Sequence, residues 1–110
     1  MASYFDLKAA AGGQFMFNLK AGNHEVILTS ERYTTKQGAM GGIASVQKNA
    51  PSDDRYQRKV ATDKSPYFVL TAANGETIGK SEMYSSASAM EGGIASVKAN
   101  APTASTKDLV

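Results

Sequence analysis

Residues 17–51 read FNLKAGNHEVILTSERYTTKQGAMGGIASVQKNAP, and residues 68–102 read FVLTAANGETIGKSEMYSSASAMEGGIASVKANAP. The two stretches align without a gap at a constant offset of 51 residues, and they are identical at 18 of 35 positions. Unrelated sequences agree at only about one position in twenty, so this agreement establishes an internal duplication. We therefore predict a single domain over residues 1–110 that consists of two repeats, approximately 1–51 and 52–110.

Each repeat begins with strand patterns. Apolar and polar positions alternate along residues 15–20, which is typical of a strand with one buried face. In the second repeat, Asn74-Gly75 lies between two strand-like runs and predicts a tight hairpin turn. The first repeat has His24 in place of Gly75. Either His24 adopts a positive φ at a cost of about 1 kcal/mol, or the turn moves onto Gly22-Asn23.

A helix follows the strands in each repeat. Ala39, Ile43 and Val46 recur at spacings of four and three residues, which places them on one stripe of a helix. Thr34 is predicted to cap the start of the first helix, with Gln37 reaching back to complete a capping box. The second repeat carries the same stripe at Met90, Ile94 and Val97.

The end and the glycines of this helix also lead to predictions. Asn49, followed closely by a proline, is expected to stop the helix in the left-handed conformation. Gly42 is expected to let the helix lie close to the sheet, because it has no side chain. The gain in packing would offset the unfavourable helix propensity of glycine. Gly41, Ala44 and Ser45 form a second face of small residues, which we predict to be the contact between the two helices.

These elements predict an α+β fold of two tandem β-β-β-α(-β) repeats. The repeats form one antiparallel sheet with two helices packed on one face and a pseudo-twofold axis between the copies. Segment 55–60 then follows the first helix and opens the second repeat, and the tail 106–110 takes the matching place after the second helix. The predicted core is Phe15, Phe17, Leu19, Ile27, Ile43, Val46, Phe68, Leu70, Ile78, Ile94 and Val97. The predicted helix-free face carries Asp6, Lys8, Met16, Asn18, Lys20, Leu28, Tyr67 and Val69.

Composition excludes several classes of protein. The chain has no Cys, which excludes disulfides, thiol catalysis and Cys-ligated zinc, and its formal net charge is only +2. No apolar run approaches the roughly 20 residues that cross a bilayer. The first residues lack a basic start followed by a long apolar stretch. We therefore expect a cytoplasmic protein with no membrane contact, monomeric, with its repeats paired within the chain.

The repeated residues resemble the YegP-like family of short bacterial proteins of uncharacterised function. The shared run is Leu-x-Ala-x-Asn-x-Glu-x-Ile, then Ser-Glu-x-Tyr, Gly-Ile-x-Ser-Val and a closing Asn-Ala, and all of it occurs twice. The resemblance implies a three-stranded unit with a helix and a following strand exchanged between repeats, all in one sheet. It implies no activity, substrate or catalytic residue. The sequence departs from the pattern at His24, and Arg58 stands where the first repeat has Leu7.

No residue pattern predicts a catalytic site, a metal site or a cofactor. The chain contains no P-loop, GxGxxG, HExxH or GxSxG motif, and its one histidine, His24, lies in a hairpin turn with no second His or Cys in the chain. We therefore interpret the chain as a small non-enzymatic binding or interaction module for a protein or small molecule. The candidate interaction surface is Lys8, Lys20, Arg55, Arg58, Lys59 and Tyr67.

Two alternatives remain open. Segment 55–59 interleaves basic residues with an aromatic one and could hold single-stranded nucleic acid weakly, although Asp53 and Asp54 precede it. A small enzyme could instead use the duplicated pairs Glu31/Glu82 and Tyr33/Tyr84. A shared cleft that shifts the carboxylate pKa values would favour the enzyme, whereas exposed positions near the helix start would favour the binding module.

Overall fold

The computed structural model describes residues 3–110, and within them the two repeats share a single sheet of seven strands. The strands are β1 (Tyr4–Ala10), β2 (Gln14–Lys20), β3 (Val26–Ser30), β4 (Tyr56–Val60), β5 (Pro66–Thr71), β6 (Thr77–Lys80) and β7 (Ser105–Asp108). The helices are α1 (Lys36–Asn49) and α2 (Ala87–Asn100). Both helices bury their apolar stripes in the same core, against the same face of the sheet. The predicted α+β fold is confirmed, and no helix in residues 3–110 is long and apolar enough to span a membrane.

The two repeats meet at the centre of the sheet, whose strand order is β4-β5-β6-β3-β2-β1-β7. Strands β3 and β6 pair antiparallel, with Thr29 opposite Lys80. These two residues stand 51 positions apart and are therefore counterparts in the duplication. The pseudo-twofold axis consequently passes between them. Each helix reaches across it, because α1 contacts β2 and β6 whereas α2 contacts β5 and β3.

One strand departs from the predicted antiparallel sheet. Strand β7 pairs parallel to β1, with Tyr4 opposite Ser105 and Asp6 opposite Lys107. After α1 the chain enters β4, which pairs antiparallel with β5. The symmetry-related place after α2 is already occupied by β1. The tail therefore adds outside β1 and runs in the same direction, which makes the pair parallel.

The core contains most of the predicted residues, but in β3 the fully buried residue is Leu28 rather than Ile27. Phe17, Leu19, Phe68, Leu70, Ile43, Val46, Ile78, Ile94 and Val97 are buried, whereas Phe15 and Ile27 are partly buried. Leu28 was predicted on the helix-free face, but it is fully buried in the core. The register between β2 and β3 shifts between Leu19 and Lys20, so Ile27 is the extra residue of a bulge. The bulge places Leu28 opposite Leu19, on the helix side.

The helix caps lie one residue later than the sequence suggested. The Oγ1 atom of Thr35, not of Thr34, accepts a hydrogen bond from the N–H of Gly38 at 2.9 Å. Because the third helical residue is then a glycine, no capping box with Gln37 can form. In the second repeat Ser86 takes the same position, and its Oγ atom accepts from the N–H of Ala89.

The helix ends also differ from the prediction. Asn49 is helical rather than left-handed, and the chain continues through Ala50 with φ −54°. The Asn49 side chain instead donates a hydrogen bond from Nδ2 to the carbonyl oxygen of Ser45 at 2.8 Å. Asn100 repeats this contact with Ser96. The duplicated asparagines therefore satisfy a carbonyl group of the last helical turn from within the helix.

The two helix glycines have different roles. A Cβ atom on Gly42 would lie 2.7 Å from Tyr33 Cζ and 2.9 Å from Phe17 Cε2, which confirms that Gly42 permits close packing. Gly41 and its counterpart Gly92 face open space. The predicted helix-to-helix contact through Gly41 is therefore wrong. The segment Ala101–Thr103 touches both helices instead.

Candidate binding surfaces

The helix-free face of the sheet is unusually rich in lysine. Residues that stand opposite each other in paired strands point to the same side of the sheet, so the strand register assigns every side chain to a face. The helix-free face receives Lys8, Lys20, Lys59, Lys80 and Lys107. Among the strand residues of the described chain, Asp6 is the only carboxylate on this side. Two further carboxylates, Glu31 and Glu82, lie just after β3 and β6 and line a hollow with Lys80. We call this surface, with Tyr4 and Tyr67, the lysine face.

Asp6, the strand carboxylate of the lysine face, forms an ion pair with Lys20. The Nζ atom of Lys20 lies 3.0 Å from Oδ2 of Asp6, and this contact raises the pKa of Lys20. Asp6 is buried and Lys20 is half-buried. The other four lysines form no ion pair within residues 3–110. Their charges are therefore available to an anion from outside.

Two of these lysines contact aromatic rings. The Nζ atom of Lys80 lies 5.1 Å from the centroid of the Tyr67 ring, and that of Lys107 lies 6.0 Å from the Tyr4 ring. These distances are within the range of a cation–π contact. Both tyrosines are half-buried, and the Tyr4 hydroxyl is hydrogen-bonded to Nδ1 of His24 at 2.9 Å. Each ring thus lies on the lysine face with an ammonium group beside it.

The arginines of the predicted basic strand point elsewhere. Arg58 stands opposite Phe68, on the helix side, where its guanidinium group contacts Glu91 at 2.6 Å and Asp53 at 3.1 Å. The Nε atom of Arg55 donates to Oδ1 of Asn49 at 3.1 Å. The alternation of the strand therefore separates Arg58 from Lys59, and both arginine side chains are engaged within the molecule.

The structure divides the candidate interaction surface accordingly. It places Lys8, Lys20, Lys59 and Tyr67 together on the lysine face and leaves Arg55 and Arg58 out. It adds three residues that the sequence analysis missed, namely Tyr4, Lys80 and Lys107. Tyr4 follows from the alternation of β1, which was available in the sequence. Lys80 and Lys107 depend on a bulge and on a parallel edge pairing, which the local pattern does not reveal.

Two grooves lie on the other side of the molecule, one on each side of the pseudo-twofold axis. Each is formed by the helix side of one repeat and the hairpin of the other. The first groove, of about 490 Å³, includes Glu31, Tyr33 and Gly42 together with Glu76, Thr77 and Ile78. The second, of about 540 Å³, is lined by the counterparts Glu82, Tyr84 and Gly93 together with Glu25, Val26 and Ile27. Each groove thus combines a Glu and a Tyr of one repeat with the hairpin Glu of the other repeat.

The chemistry of the grooves is limited. Burial and the neighbouring Glu31 raise the pKa of Tyr33, and burial and Glu82 raise the pKa of Tyr84, so both phenols stay protonated at neutral pH. Both glutamates are exposed, although they line a common hollow of about 310 Å³ with Thr29 and Lys80, two residues whose side chains lie on the lysine face. A protonated phenol can donate a hydrogen bond, but it is a poor base or nucleophile. No cluster of three metal-ligating side chains occurs in the described part of the chain.

The turn at His24 is the remaining duplicated feature. His24 adopts φ 72°, close to the φ 87° of Gly75 in the second repeat, which decides between the two alternatives for this turn. The Oδ1 atom of Asn23 accepts a hydrogen bond from the N–H of Glu25, and Asn74 makes the same contact with Glu76. His24 is exposed and bonded to Tyr4.

The fold and these surfaces define a small α+β protein in which a duplicated unit builds one sheet around a pseudo-twofold axis. Residues 10–57 and 61–108 each match the family described as a domain of unknown function, DUF1508. The chain belongs to the UPF0339 family, because proteins of that family, among them YegP of Escherichia coli, are 52% to 68% identical to it over 98% of the chain. Each matched stretch begins at the turn before β2 or β5 and ends in the strand that follows the helix of that repeat. The resemblance to YegP-like proteins is thereby confirmed.

The relatives are bacterial and match over almost their whole length. A UPF0339 protein of Bordetella pertussis is 68% identical over 108 residues, which are 98% of this chain and 96% of the relative. YegP of Escherichia coli is 52% identical over 98% of each chain. The solution structure of a UPF0339 protein from Shewanella oneidensis matches with a TM-score of 0.92 and 53% identity, over 99% of this chain and 92% of that one. The Escherichia coli YegP structure, described as a protein of unknown function, matches with a TM-score of 0.93 and 51% identity, over 99% of this chain and 94% of that one.

Proposed function

We propose that the protein is a non-enzymatic binding module that holds an anionic partner on the lysine face. The observation that carries the proposal is the one-sided distribution of charge. The net charge of the whole chain is only +2, yet the strands of the described chain place five lysines and one carboxylate, the already paired Asp6, on one exposed side of the sheet. Glu31 and Glu82, which follow β3 and β6, line a hollow with Lys80 near the centre of this side but form no ion pair with it in the described part of the chain. A surface of one sign attracts partners of the opposite sign and speeds their association.

We propose a non-enzymatic role because the side chains that line the two grooves are poorly suited to catalysis. Their tyrosines are protonated at neutral pH, and Glu31 and Glu82 are exposed rather than held in a water-excluding cleft. Acid–base catalysis requires groups whose pKa values are set close to the working pH. The proposal also includes a cytoplasmic location and one chain per functional unit, which cell fractionation and sedimentation equilibrium would test.

Binding of anions by the lysine face can be tested with a simple polyanion. Inorganic polyphosphate is titrated into the native protein and into the variant Lys59→Gln/Lys80→Gln at several salt concentrations. The variant should bind more weakly, and its affinity should depend less steeply on salt, because fewer counterions are released when two phosphate contacts are lost. The matched control is Lys48→Gln/Lys64→Gln, which removes two exposed lysines outside the lysine face. Equal losses in both variants would contradict the proposal.

A further inference from the structure

We infer that the anionic partner is single-stranded nucleic acid, which lies across the strands of the lysine face. This inference rests on the proposed function and specifies its ligand. A bare polyanion would need the lysines alone. The two half-buried tyrosines beside them add a second kind of contact, because every nucleotide base has a flat face that can stack on an aromatic ring.

The lysines and tyrosines occur as two matched pairs. Tyr67 on β5 contacts Lys80 on β6, and Tyr4 on β1 contacts Lys107 on β7. Strands β5 and β1 are four strand spacings apart, which is roughly 19 Å at the usual separation. Each pair supplies a ring for a base and an ammonium group for a phosphate. The two pairs thus mark two ends of a path that crosses the sheet.

The surface between the pairs carries several polar groups. The Nδ2 atom of Asn18 donates to Oγ1 of Thr29 at 3.0 Å, and Lys20 is paired with Asp6 beside them. Amide, hydroxyl and ammonium groups can bond to phosphate and sugar oxygens. A lipid surface would instead require apolar side chains for insertion. Of the apolar side chains that the register places on this side, Val69 is buried and Met16 is half-buried, so neither is a fully exposed anchor for insertion.

The geometry also limits the kind of recognition. Within the described chain no helix lies on this face to enter a groove of duplex DNA, and stacking on tyrosine tolerates any base. We therefore expect binding that depends little on sequence. With four lysines free of ion pairs, the logarithm of the affinity should fall with the logarithm of the salt concentration with a slope near −3 for single strands. The site is the lysine face rather than segment 55–59.

The test compares bases with bare charge. Labelled RNA and DNA oligomers of about 12 nucleotides, an abasic oligomer of equal length and charge, and inorganic polyphosphate are titrated into the full chain. The native protein should bind the oligomers that carry bases more tightly than the abasic one. Tyr67→Ile keeps an apolar strand former but removes the ring, and should lose at least about fivefold in affinity for RNA or DNA. Its binding of the abasic oligomer should not change.

The remaining variants and a mapping experiment separate this inference from the proposed function. Lys59→Gln/Lys80→Gln should weaken all four probes, whereas Lys48→Gln/Lys64→Gln should weaken none. Amide shift changes on addition of RNA should centre on β5, β6, β1 and β7. Equal binding of base-containing and abasic probes, with no effect of Tyr67→Ile, would overturn the nucleic-acid inference and leave the proposed function standing. Absence of binding by all four probes at low salt would overturn both.

Discussion

Leu28 occupies the space that a side chain at Gly79 would need. A Cβ atom on Gly79 would lie 2.8 Å from Cγ of Leu28, a separation that real Cβ atoms do not show. The two residues are counterparts in the duplication, and their strands pair at the pseudo-twofold axis. Two leucines would collide there and two glycines would leave a cavity. The duplicated sequence has resolved the conflict by diverging at this position, so the symmetry is broken in the core.

Substitutions at these two positions should therefore be coupled. Leu28→Ala leaves a cavity and should lower the free energy of unfolding by about 2–5 kcal/mol. Gly79→Ala overpacks the same spot and should cost about 1–3 kcal/mol. In the double variant the added methyl group enters the space that Leu28 vacated. Its cost should be smaller than the sum of the single costs by about 0.5–3 kcal/mol. Urea unfolding of the four proteins measures this difference, and strictly additive costs would contradict it.

The adjacent glycines in each helix should respond in opposite ways to alanine. Gly41→Ala and Gly92→Ala add a methyl group in open space and should raise the free energy of unfolding by about 0.5–1 kcal/mol, because alanine favours the helix. Gly42→Ala and Gly93→Ala force a methyl group against Tyr33 or Tyr84 and should lower it by about 1–3 kcal/mol. Each destabilising variant thus has its neighbour as a control. Thermal unfolding would decide, and a stabilising Gly42→Ala would refute the close packing.

Local patterns predicted the elements of this fold and failed where pairing between distant strands decides the outcome. The alternation along residues 15–20 and the stripe of Ile43 and Val46 predicted a strand and a helix correctly, because both patterns reflect neighbours in sequence. The side that Leu28 faces depends on a bulge between β2 and β3. The direction of β7 depends on β1 already filling the matching position. Neither the bulge nor the filled position can be predicted from the residues next to Leu28 or β7.

The same limit applies to the candidate surface. Segment 55–59 is the densest run of basic residues, but the period of a strand divides such a run between two faces. Arg58 therefore joins Glu91 on α2, whereas Lys59 faces away. The lysine face is assembled from five strands spread over both repeats, with one lysine on each. Only the order and register of the strands could reveal it.

The duplicated serines before each helix should be structural. The Oγ atom of Ser30 accepts a hydrogen bond from the buried N–H of Phe17 at 2.8 Å and donates to the carbonyl oxygen of Glu31 at 2.7 Å. Ser81 makes the equivalent contacts in the second repeat. Alanine at either position would leave a buried N–H without a partner, which should lower the free energy of unfolding by about 1–3 kcal/mol.

Chemical unfolding and amide exchange together test this role. The N–H of Phe17 should exchange faster in Ser30→Ala, and that of Phe68 should exchange faster in Ser81→Ala. The control is Ser88→Ala, which changes an exposed serine near the start of α2 and should leave stability within about 0.5 kcal/mol. Full stability in both buried-serine variants would mean that another group, or water, satisfies these amides.

Stability should fall in acid through the ion pairs that join β4 to α2. Asp53 accepts hydrogen bonds from Lys98 at 2.6 Å and from Arg58 at 3.1 Å, and Arg58 also donates to Glu91. The contact with Lys98 and then that with Arg58 lower the pKa of Asp53, and the Arg58 contact lowers that of Glu91. A carboxylate whose pKa is lower in the folded state stabilises that state above its unfolded pKa. This contribution is lost as pH falls through the folded pKa.

The free energy of unfolding should therefore change little from pH 7 to about pH 5, as far as these groups are concerned, and should fall below about pH 4. The effect should be modest and should shrink in high salt, because all four side chains are substantially exposed. Asp53→Asn should be less stable than the native protein at pH 7 and should lose less on acidification. Asp54→Asn changes the neighbouring exposed carboxylate, which has no ion pair within residues 3–110, and serves as the control. Urea midpoints measured from pH 7 to pH 3 would contradict this assignment if Asp53→Asn and Asp54→Asn followed the same curve.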